Sequence, residues 1–319
     1  MKNNKDEKIR ISIINGFLGS GKTTLLTHYI SELLKNDEKI KIIMNEFGTV
    51  DIDSNSISNE IEVHSLINGC VCCDLKQELV YELKAIALKG DVNHVIIEAT
   101  GIAHPLELLV ACQDPQIVNF FEKPIIYGVL DATRFLERHQ YTENTVSLME
   151  DQLKLSDMII INKIDLVTDD SINKIDLVTD DSIEKIDKQL SLICASIPTY
   201  KTTYGQVSLE ELDLPGKDRE ISSHHHHHHG IKSMTYTFTG PIDRQLFYQF
   251  IMKLSESVLR LKGYVSFRDQ PNAIYEFQYA YGLPDYGIIG MQLPLTIVII
   301  GETLDTNHIR NQLDMLQFT

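Results

Sequence analysis

The chain has few cysteines and few basic residues, and both shortages restrict what it can be. Five cysteines occur among 319 residues, and the opening residues MKNNKDEKIR contain no apolar segment of the kind found in secretory signals. We therefore expect a cytoplasmic protein whose thiols stay reduced. Lysine and arginine number 29 against 45 acidic residues, giving a formal net charge of -16. This surplus of acid disfavours nucleic acid and anionic membrane surfaces as partners.

Long apolar runs are absent as well, which argues against a membrane span. Instead, short apolar runs alternate with longer amphipathic ones from residue 9 to about residue 200. This alternation predicts an α/β domain with a mostly parallel sheet and flanking helices. The predicted strands are, in chain order, Arg10 to Asn15, Lys41 to Asn45, His94 to Glu98, Ile125 to Leu130, Met158 to Ile161 and one near Ser191 to Ala195.

The pattern changes after residue 207, and the change predicts three parts. Residues 1–207 form the α/β domain, and residues 208–230 form an acidic linker that ends in six histidines. Residues 231–319 begin with an alternating strand and continue with a helix predicted over Arg244 to Ser257. Further strands are predicted near Gly263 to Phe267, Ala273 to Ala280 and Leu295 to Ile300, with a closing helix from about Thr306. This pattern is typical of a small α+β domain. The histidines are His224, His225, His226, His227, His228 and His229. They form either a native loop that gathers metal weakly or an engineered tag, and their internal position favours the native loop.

Residues 16–23 read GFLGSGKT, a complete phosphate-binding loop of the form G-x-x-x-x-G-K-[ST]. The loop follows a predicted strand and precedes a helix-forming run, so a chance glycine-rich turn is the weaker alternative. Lys22 is expected to reach the β- and γ-phosphate oxygens, and the Thr23 hydroxyl is expected to ligate Mg²⁺. The predicted nucleotide-binding residues of the loop are Gly16, Gly19, Ser20, Gly21, Lys22, Thr23 and Thr24.

Two later motifs also end predicted strands. The first runs from Glu98 to Gly101, where a carboxylate meets a glycine near the expected γ-phosphate; a glutamate facing solvent is the alternative. With Lys22 and Thr23, Glu98 is predicted to support catalysis. The second motif looks like the guanine-reading element of GTPases, in which the aspartate accepts two hydrogen bonds from the base; an ordinary strand-to-loop connection is the alternative. Its nucleotide-binding residues are Asn162, Lys163 and Asp165.

A tandem repeat adds a second copy of the guanine motif. The segment INKIDLVTDD occurs at residues 161–170 and again at residues 172–181. The first copy directly follows an apolar strand and the second does not, so we interpret Asn173 to Asp176 as surface sequence.

Cys70, Cys72 and Cys73 lie within four residues of one another. Thiols this close cannot all pair without strain, so a soft-metal site is the natural interpretation, and small buried hydrophobic residues are the alternative. Zinc prefers four tetrahedral ligands, and Co²⁺ and Ni²⁺ stay open because cellular selectivity also depends on geometry and availability. The candidates for the fourth ligand are Glu46, Asp51, Glu60, Glu62, His64 and an exchanging water.

These motifs stand in the order found in the CobW family, which the chain closely resembles. The matching segments are GFLGSGKTTLL, NEFG from residue 45, NGCVCC from residue 68, EATG from residue 98 and NKID from residue 162. The family consists of GTPases with metallochaperone roles, related to the urease and hydrogenase nickel-insertion GTPases. The resemblance implies that Glu46 and Asp53 lie in the first switch segment and that Glu98 is the acid of the second magnesium motif. Arg260-Leu-Lys262-Gly263 is similar to the R-x-K-G signature of the family's C-terminal domain.

The chain departs from the family pattern at several positions. Thr49 and Asp51 stand where an acid and a small residue are common, and Ser65 stands where glutamate is common. Cys194-Ala195 occupies a place near the base pocket where Asn-Pro is common, so the outer wall of that pocket departs from the family.

The sequence as a whole predicts a GTP-hydrolysing metallochaperone in which Mg²⁺-GTP orders the switch segments and thereby sets the cysteine site. Hydrolysis would release the metal to a client metalloprotein. No side chain is an obvious arginine finger, so slow intrinsic turnover is expected. Two alternatives stay open: a metal buffer or sensor with a vestigial nucleotide role, and a P-loop ATPase or kinase with a structural zinc. A homodimer is also left open.

Overall fold

The computed structural model contains two sheets of different construction. It describes residues 8–36, 38–44, 61–65, 73–167, 180–208, 212, 231–255, 257–280, 283–302 and 304–318, with the backbone alone for 61–65, 73–75 and 180–181. Across these residues, no helix combines the length and the apolar character that a bilayer span requires.

Parallel strands make up the first sheet. They are β1 Arg10–Asn15, β2 Ile40–Met44, β3 Ile61–Ser65, β4 His94–Glu98, β5 Ile125–Asp131, β6 Met158–Asn162 and β7 Thr199–Lys201. Within the described residues the sheet has seven strands in the order β3-β2-β4-β1-β5-β6-β7, and every neighbouring pair is parallel. Strands β2, β4 and β6 are buried along their whole length, which explains why their sequences are almost continuously apolar.

Helices cover both faces of this sheet. They are α1 Lys22–Leu34, α2 Cys73–Lys89, α3 Pro105–Cys112, α4 Ala132–Leu136, α5 Glu143–Lys154 and α6 Asp180–Cys194. Helix α1 buries Leu26, Ile30 and Leu33 at helical spacing against one face of the sheet. Helices α2 and α3 pack on the other face through residues such as Leu83 and Leu109. This layered arrangement brings the loops that follow the strands to one edge of the sheet.

Antiparallel strands make up the second sheet. Its strands are β8 Ile231–Thr237, β9 Val258–Phe267, β10 Gln270–Ala280, β11 Leu283–Ile289 and β12 Thr296–Glu302, and its helices are α7 Arg244–Met252 and α8 Thr306–Phe318. The strand order is β11-β10-β9-β12-β8. Aromatic residues fill its core, including the fully buried Phe247, Phe267 and Phe277.

The second sheet contacts the α/β domain through one face of β9. Arg260 Nη2 lies 3.1 Å from Glu107 Oε1, and Lys262 Nζ lies 2.7 Å from Asp114 Oδ2. Because side chains alternate along a strand, Leu261, Val265 and Phe267 of β9 face the aromatic core instead. The R-x-K-G segment is therefore part of the contact between the two domains.

The predicted fold class is confirmed, with corrections to individual elements. The strand predicted near Ser191 to Ala195 is wrong, because those residues complete and follow α6; the last strand of the first sheet is β7. Ile186, Leu190 and Cys194 are buried at helical spacing, which fixes the helix. The helix predicted over Arg244 to Ser257 ends earlier, at Met252. Strands β3, β7 and β11 were not predicted.

Candidate nucleotide site

The phosphate-binding loop connects β1 to α1, and glycine is required at two of its positions by both space and backbone angle. Gly16 and Gly21 have φ of 147° and 100°, in the region that favours glycine. A Cβ on Gly16 would lie 2.3 Å from the Val129 carbonyl oxygen, and one on Gly21 would lie 2.2 Å from Asn162 Nδ2. The loop is thus folded tightly against β5 and the end of β6.

Lys22 points back into this loop. Its Nζ donates to the carbonyl oxygens of Gly16 at 3.0 Å and Phe17 at 3.3 Å, and the residue is buried. These two carbonyls hold the ammonium group beside the loop, at the N-terminus of α1. A cation and the N-terminus of a helix at the same place favour a bound phosphate chain.

Thr23 and Glu98 meet next to the loop and supply the oxygen ligands that Mg²⁺ prefers. The Thr23 hydroxyl donates to Glu98 Oε1 at 2.7 Å, which joins the start of α1 to the end of β4. Hydroxyl and carboxylate oxygens are ligands that suit a small hard cation. The two residues therefore fit the predicted magnesium site.

Asn162 supports the loop from behind. It is buried, its Nδ2 donates to the Ser20 carbonyl at 3.0 Å, and its Oδ1 accepts from the Gly205 backbone amide at 3.0 Å. Asn162 thereby joins the phosphate loop to the segment after β7. That segment borders the guanine motif, whereas Cys194-Ala195 precedes β7 at the end of the sheet where β6 begins, because Thr199 pairs with Ile159.

Lys163 links the guanine motif to the same loop. Its Nζ donates to the Gly19 carbonyl and to Asp131 Oδ2, both at 2.7 Å. Asp165 follows in a short 3-10 turn, Ile164–Leu166, where it is partly exposed. The structure therefore gathers Lys22, Thr23, Glu98 and the three predicted base-site residues at one edge of the sheet. Gly101 and Thr24 lie there too, since Gly101 approaches the loop and Thr24 lies in the first turn of α1.

Asp131 and Arg134 are two residues of this site that the sequence motifs did not reveal. Burial alone would raise the pKa of Asp131, but hydrogen bonds from Lys163, the Thr133 hydroxyl and the Arg134 backbone outweigh it and lower the pKa. The Arg134 guanidinium donates to the Leu18 carbonyl and lies on Gly19. Asp131 is a polar residue at the carboxyl end of a buried strand, which is the signal that could have found it.

Most predicted metal ligands lie outside the described residues. These are Cys70, Cys72, Glu46 and the histidines His224 to His229. The second copy of the guanine motif, Asn173 to Asp176, also lies outside the described residues. The described chain shows that α2 begins at Cys73, whose side chain is not described.

The arrangement of loop, acid and guanine motif around one parallel sheet defines a P-loop nucleotide-binding protein of the GTPase type. The chain belongs to the CobW/HypB/UreG family. Residues 10–201 match the family described as CobW/HypB/UreG, nucleotide-binding domain, and residues 231–317 match the cobalamin synthesis protein cobW C-terminal domain. The resemblance seen in the sequence is thus confirmed.

Individual relatives carry names that refer to zinc. The chain is 30% identical over 201 residues to zinc-regulated GTPase metalloprotein activator 1 of Dictyostelium discoideum, an alignment covering 52% of this chain and 42% of that protein. It is 26% identical to the zinc chaperone YjiA of Escherichia coli over 83% of this chain and 84% of that one. The chain spans about half the length of several other curated relatives that it matches. The structural alignment with the crystal structure of Zn(II)-bound YjiA GTPase from E. coli covers 97% of this chain and 99% of that chain, with a TM-score of 0.49 and 22% sequence identity.

Proposed function

We propose that the chain is a cytoplasmic, GTP-hydrolysing metallochaperone that carries Zn²⁺ on Cys70, Cys72 and Cys73. It hands the ion to a client metalloprotein under the control of the bound nucleotide, with Glu46 as the candidate fourth ligand. Membership of the family and the names of the relatives support the nucleotide and zinc parts of the proposal. Co²⁺ and Ni²⁺ are alternative cargoes, since thiolate sites bind them as well.

One contact supports the coupling between nucleotide and metal. Helix α2 begins at Cys73, and Lys76 near its start forms an ion pair with Glu107 in the first turn of α3. Helix α3 begins shortly after Gly101, the glycine of the segment that starts at Glu98. A shift of that segment with the terminal phosphate would therefore reach the helix that bears the third thiol.

The residues at the sheet edge account for hydrolysis as follows. The loop amides and Lys22 bind the phosphate chain and offset the negative charge that builds up as the terminal phosphate leaves. Thr23 and Glu98 would hold Mg²⁺, which, when bound, neutralises charge on the β- and γ-phosphates. Asp165 would select guanine by accepting from its two donors, while Asn162 and Lys163 keep the loop in shape.

A competitive chelator titration of Zn²⁺ tests this proposal. It is run once with Mg²⁺ and a non-hydrolysable GTP analogue and once with Mg²⁺ and GDP, on the full chain. A variant with Cys70, Cys72 and Cys73 changed to serine separates the thiol site from the histidine run, and Lys22→Ala removes the nucleotide effect.

We expect zinc affinity to differ between the two nucleotides by about tenfold, a coupling of about 1.4 kcal/mol. The difference should vanish in the serine variant and in Lys22→Ala. Equal affinities in the unaltered chain would contradict nucleotide-gated delivery and favour a metal buffer or a structural zinc.

A further inference from the structure

Gln152 is a buried glutamine on α5 whose side chain holds the turn that follows Glu98. Only 1% of the residue is exposed. Its Nε2 donates to the carbonyl oxygens of Gly101 and Ala103, each at 3.2 Å. The side-chain amide of Gln152 therefore donates two hydrogen bonds to the backbone of a single turn.

The same residue also contacts the chain that leads into the phosphate loop. The main-chain oxygen of Gln152 accepts a hydrogen bond from Asn15 Nδ2 at 3.3 Å. Asn15 is fully buried and is the last residue of β1. Gln152 thus bridges the entrance of the loop and the turn after β4, two segments that approach the nucleotide from different strands.

The turn itself lies directly against the phosphate loop. A Cβ on Gly101 would lie 2.7 Å from the backbone nitrogen of Leu18, so the two backbones are in contact. On its other side, His104 Nε2 lies 4.0 Å from Asp151 Oδ2, next to Gln152 on α5. The turn is therefore confined between the loop and one end of α5, beside the expected position of the terminal phosphate.

The oxygen of the Gln152 side chain shows that this arrangement is not explained by packing alone. Its Oε1 is buried and has no hydrogen-bond partner among the described residues. An apolar side chain of similar size would avoid that loss of hydration. The presence of a glutamine at this buried position is therefore best explained by its two hydrogen bonds to the turn.

We propose that Gln152 is a positioning residue for phosphate sensing. It fixes the backbone of Gly101 and Ala103 beside the phosphate loop, and it acts through that backbone rather than on the substrate. This inference rests on the proposed function, because it concerns discrimination between GTP and GDP at the same site.

The test compares Gln152→Met, which keeps the volume and removes both donors, with Gln152→Glu, which places acceptor oxygens against the two carbonyls. Ser156→Ala is the matched control. The Ser156 hydroxyl donates to the main-chain oxygen of Gln152 at 2.8 Å and does not contact the turn. Affinities for GDP and for a non-hydrolysable GTP analogue are measured with kcat and KM for GTP. Hydrogen exchange of the Ala103 amide is followed in both nucleotide states.

In Gln152→Met we expect GDP affinity to stay within about twofold while affinity for the GTP analogue falls about tenfold, the effect of losing two neutral hydrogen bonds. The kcat should fall as well, Gln152→Glu should show the larger loss, and Ser156→Ala should match the unaltered chain. In the unaltered chain, the Ala103 amide should exchange more slowly with the GTP analogue than with GDP.

The outcomes separate this inference from the proposed function. An unaltered chain that neither binds nor hydrolyses GTP overturns the proposed function. A chain that hydrolyses GTP, but whose GTP-to-GDP affinity ratio and kcat are unchanged in Gln152→Met, overturns the role of Gln152 alone. Should both Gln152 variants fail to fold, equal exchange of the Ala103 amide in the two nucleotide states overturns it.

Discussion

At the scale of single residues, the nucleotide site is built by side chains that hold backbone. Lys22, Asn162, Lys163 and Arg134 all donate to carbonyl oxygens of the phosphate loop. Each of these bonds fixes one peptide group of a loop rich in glycine, which has little stiffness of its own. A substitution here changes the shape of the loop in addition to removing a contact with the nucleotide.

Asp165 gives a prediction about base choice. Asp165→Asn replaces an acceptor that matches the two guanine donors, so GTP affinity should fall about 10- to 100-fold, as expected for hydrogen bonds to a charged group. ATP affinity should not fall. Titration with fluorescent nucleotides measures both, and the exposed Asp91→Asn serves as control. A parallel loss of GTP and ATP affinity would show that Asp165 does not read the base.

His94 lies in a buried polar network at the end of β4 opposite to Glu98. Its Nε2 lies 2.8 Å from the Ser12 hydroxyl, which in turn lies 3.2 Å from the Tyr29 hydroxyl. Burial, and after it the charge of Arg10, lower the pKa of His94 from 6.5 to about 3. The folded protein therefore keeps this imidazole neutral.

This lowered pKa predicts a loss of stability in acid. As pH falls below 6.5, the unfolded chain takes up a proton at His94 that the folded protein refuses until about pH 3. The free energy of unfolding should then fall by up to about 1.4 kcal/mol per pH unit from this group. Urea unfolding of the unaltered chain and of His94→Gln between pH 7 and pH 5 should give a shallower slope for the variant, and parallel slopes would contradict the assignment.

Local motifs were predictable at this scale and distant partners were not. Lys22, Thr23 and Asp165 lie in short patterns whose chemistry is evident from residue type and spacing. Asp131 meets Lys163 across 32 residues of sequence, and Gln152 meets Gly101 across 51. Such pairs depend on which strands and helices become neighbours, and a single sequence does not reveal those contacts.

At the scale of elements, α2 and α3 form a connected pair between the cysteine motif and the turn after β4. Glu107 on α3 pairs with Lys76 on α2 and, through its other oxygen, with Arg260 on β9. The Glu107 carboxylate therefore links α3 to both α2 and β9. All three side chains are partly exposed, so the energy involved is modest.

Glu107→Gln should weaken the coupling between nucleotide and zinc while leaving nucleotide affinity unchanged. Loss of two partly exposed ion pairs should reduce the nucleotide-dependent difference in zinc affinity about threefold. The chelator titration measures this, with the exposed Glu78→Gln on α2 as matched control. An undiminished difference in Glu107→Gln would mean that the coupling follows another route.

Long periodic elements were predictable from sequence, whereas short or irregular ones were not. Strand β11 contains Pro284 and Gly287, which argue against a strand in the interior of a sheet. Its position at the sheet edge removes that objection, and edge position is a property of the whole sheet. The helix end at Leu192 to Cys194 was mistaken for a strand because a short apolar run fits either structure.

At the scale of the whole molecule, buried and half-buried ion pairs connect the two domains. Asp114 is almost fully buried and lies 2.7 Å from Lys262, which is 29% exposed. Burial alone would lower the pKa of Lys262, but the charge of Asp114 outweighs it and raises the pKa. The pair therefore depends on both domains being in place.

Lys262→Met should leave Asp114 without its ammonium partner and lower the free energy of unfolding by about 1–3 kcal/mol. The expected loss is moderate because the backbone N–H of Gln116 still donates to Asp114 Oδ1, at 3.0 Å. Urea unfolding at pH 7 measures the change, and the exposed Lys253→Met should stay within about 0.5 kcal/mol of the unaltered chain. Equal midpoints for the two variants would show that this pair does not stabilise the contact between domains.

The packing of strand β12 restricts how the two domains can evolve. Ile297 and Ile299 lie in the aromatic core of the second sheet, while Val298 and Ile300 belong to the apolar cluster beneath α2 and α3 of the first. One strand thus completes two interiors at once. If the gene were split between the two domains, each product would expose apolar surface that is buried in the intact chain. Evolution can therefore lengthen the segment between the domains more readily than it can separate them.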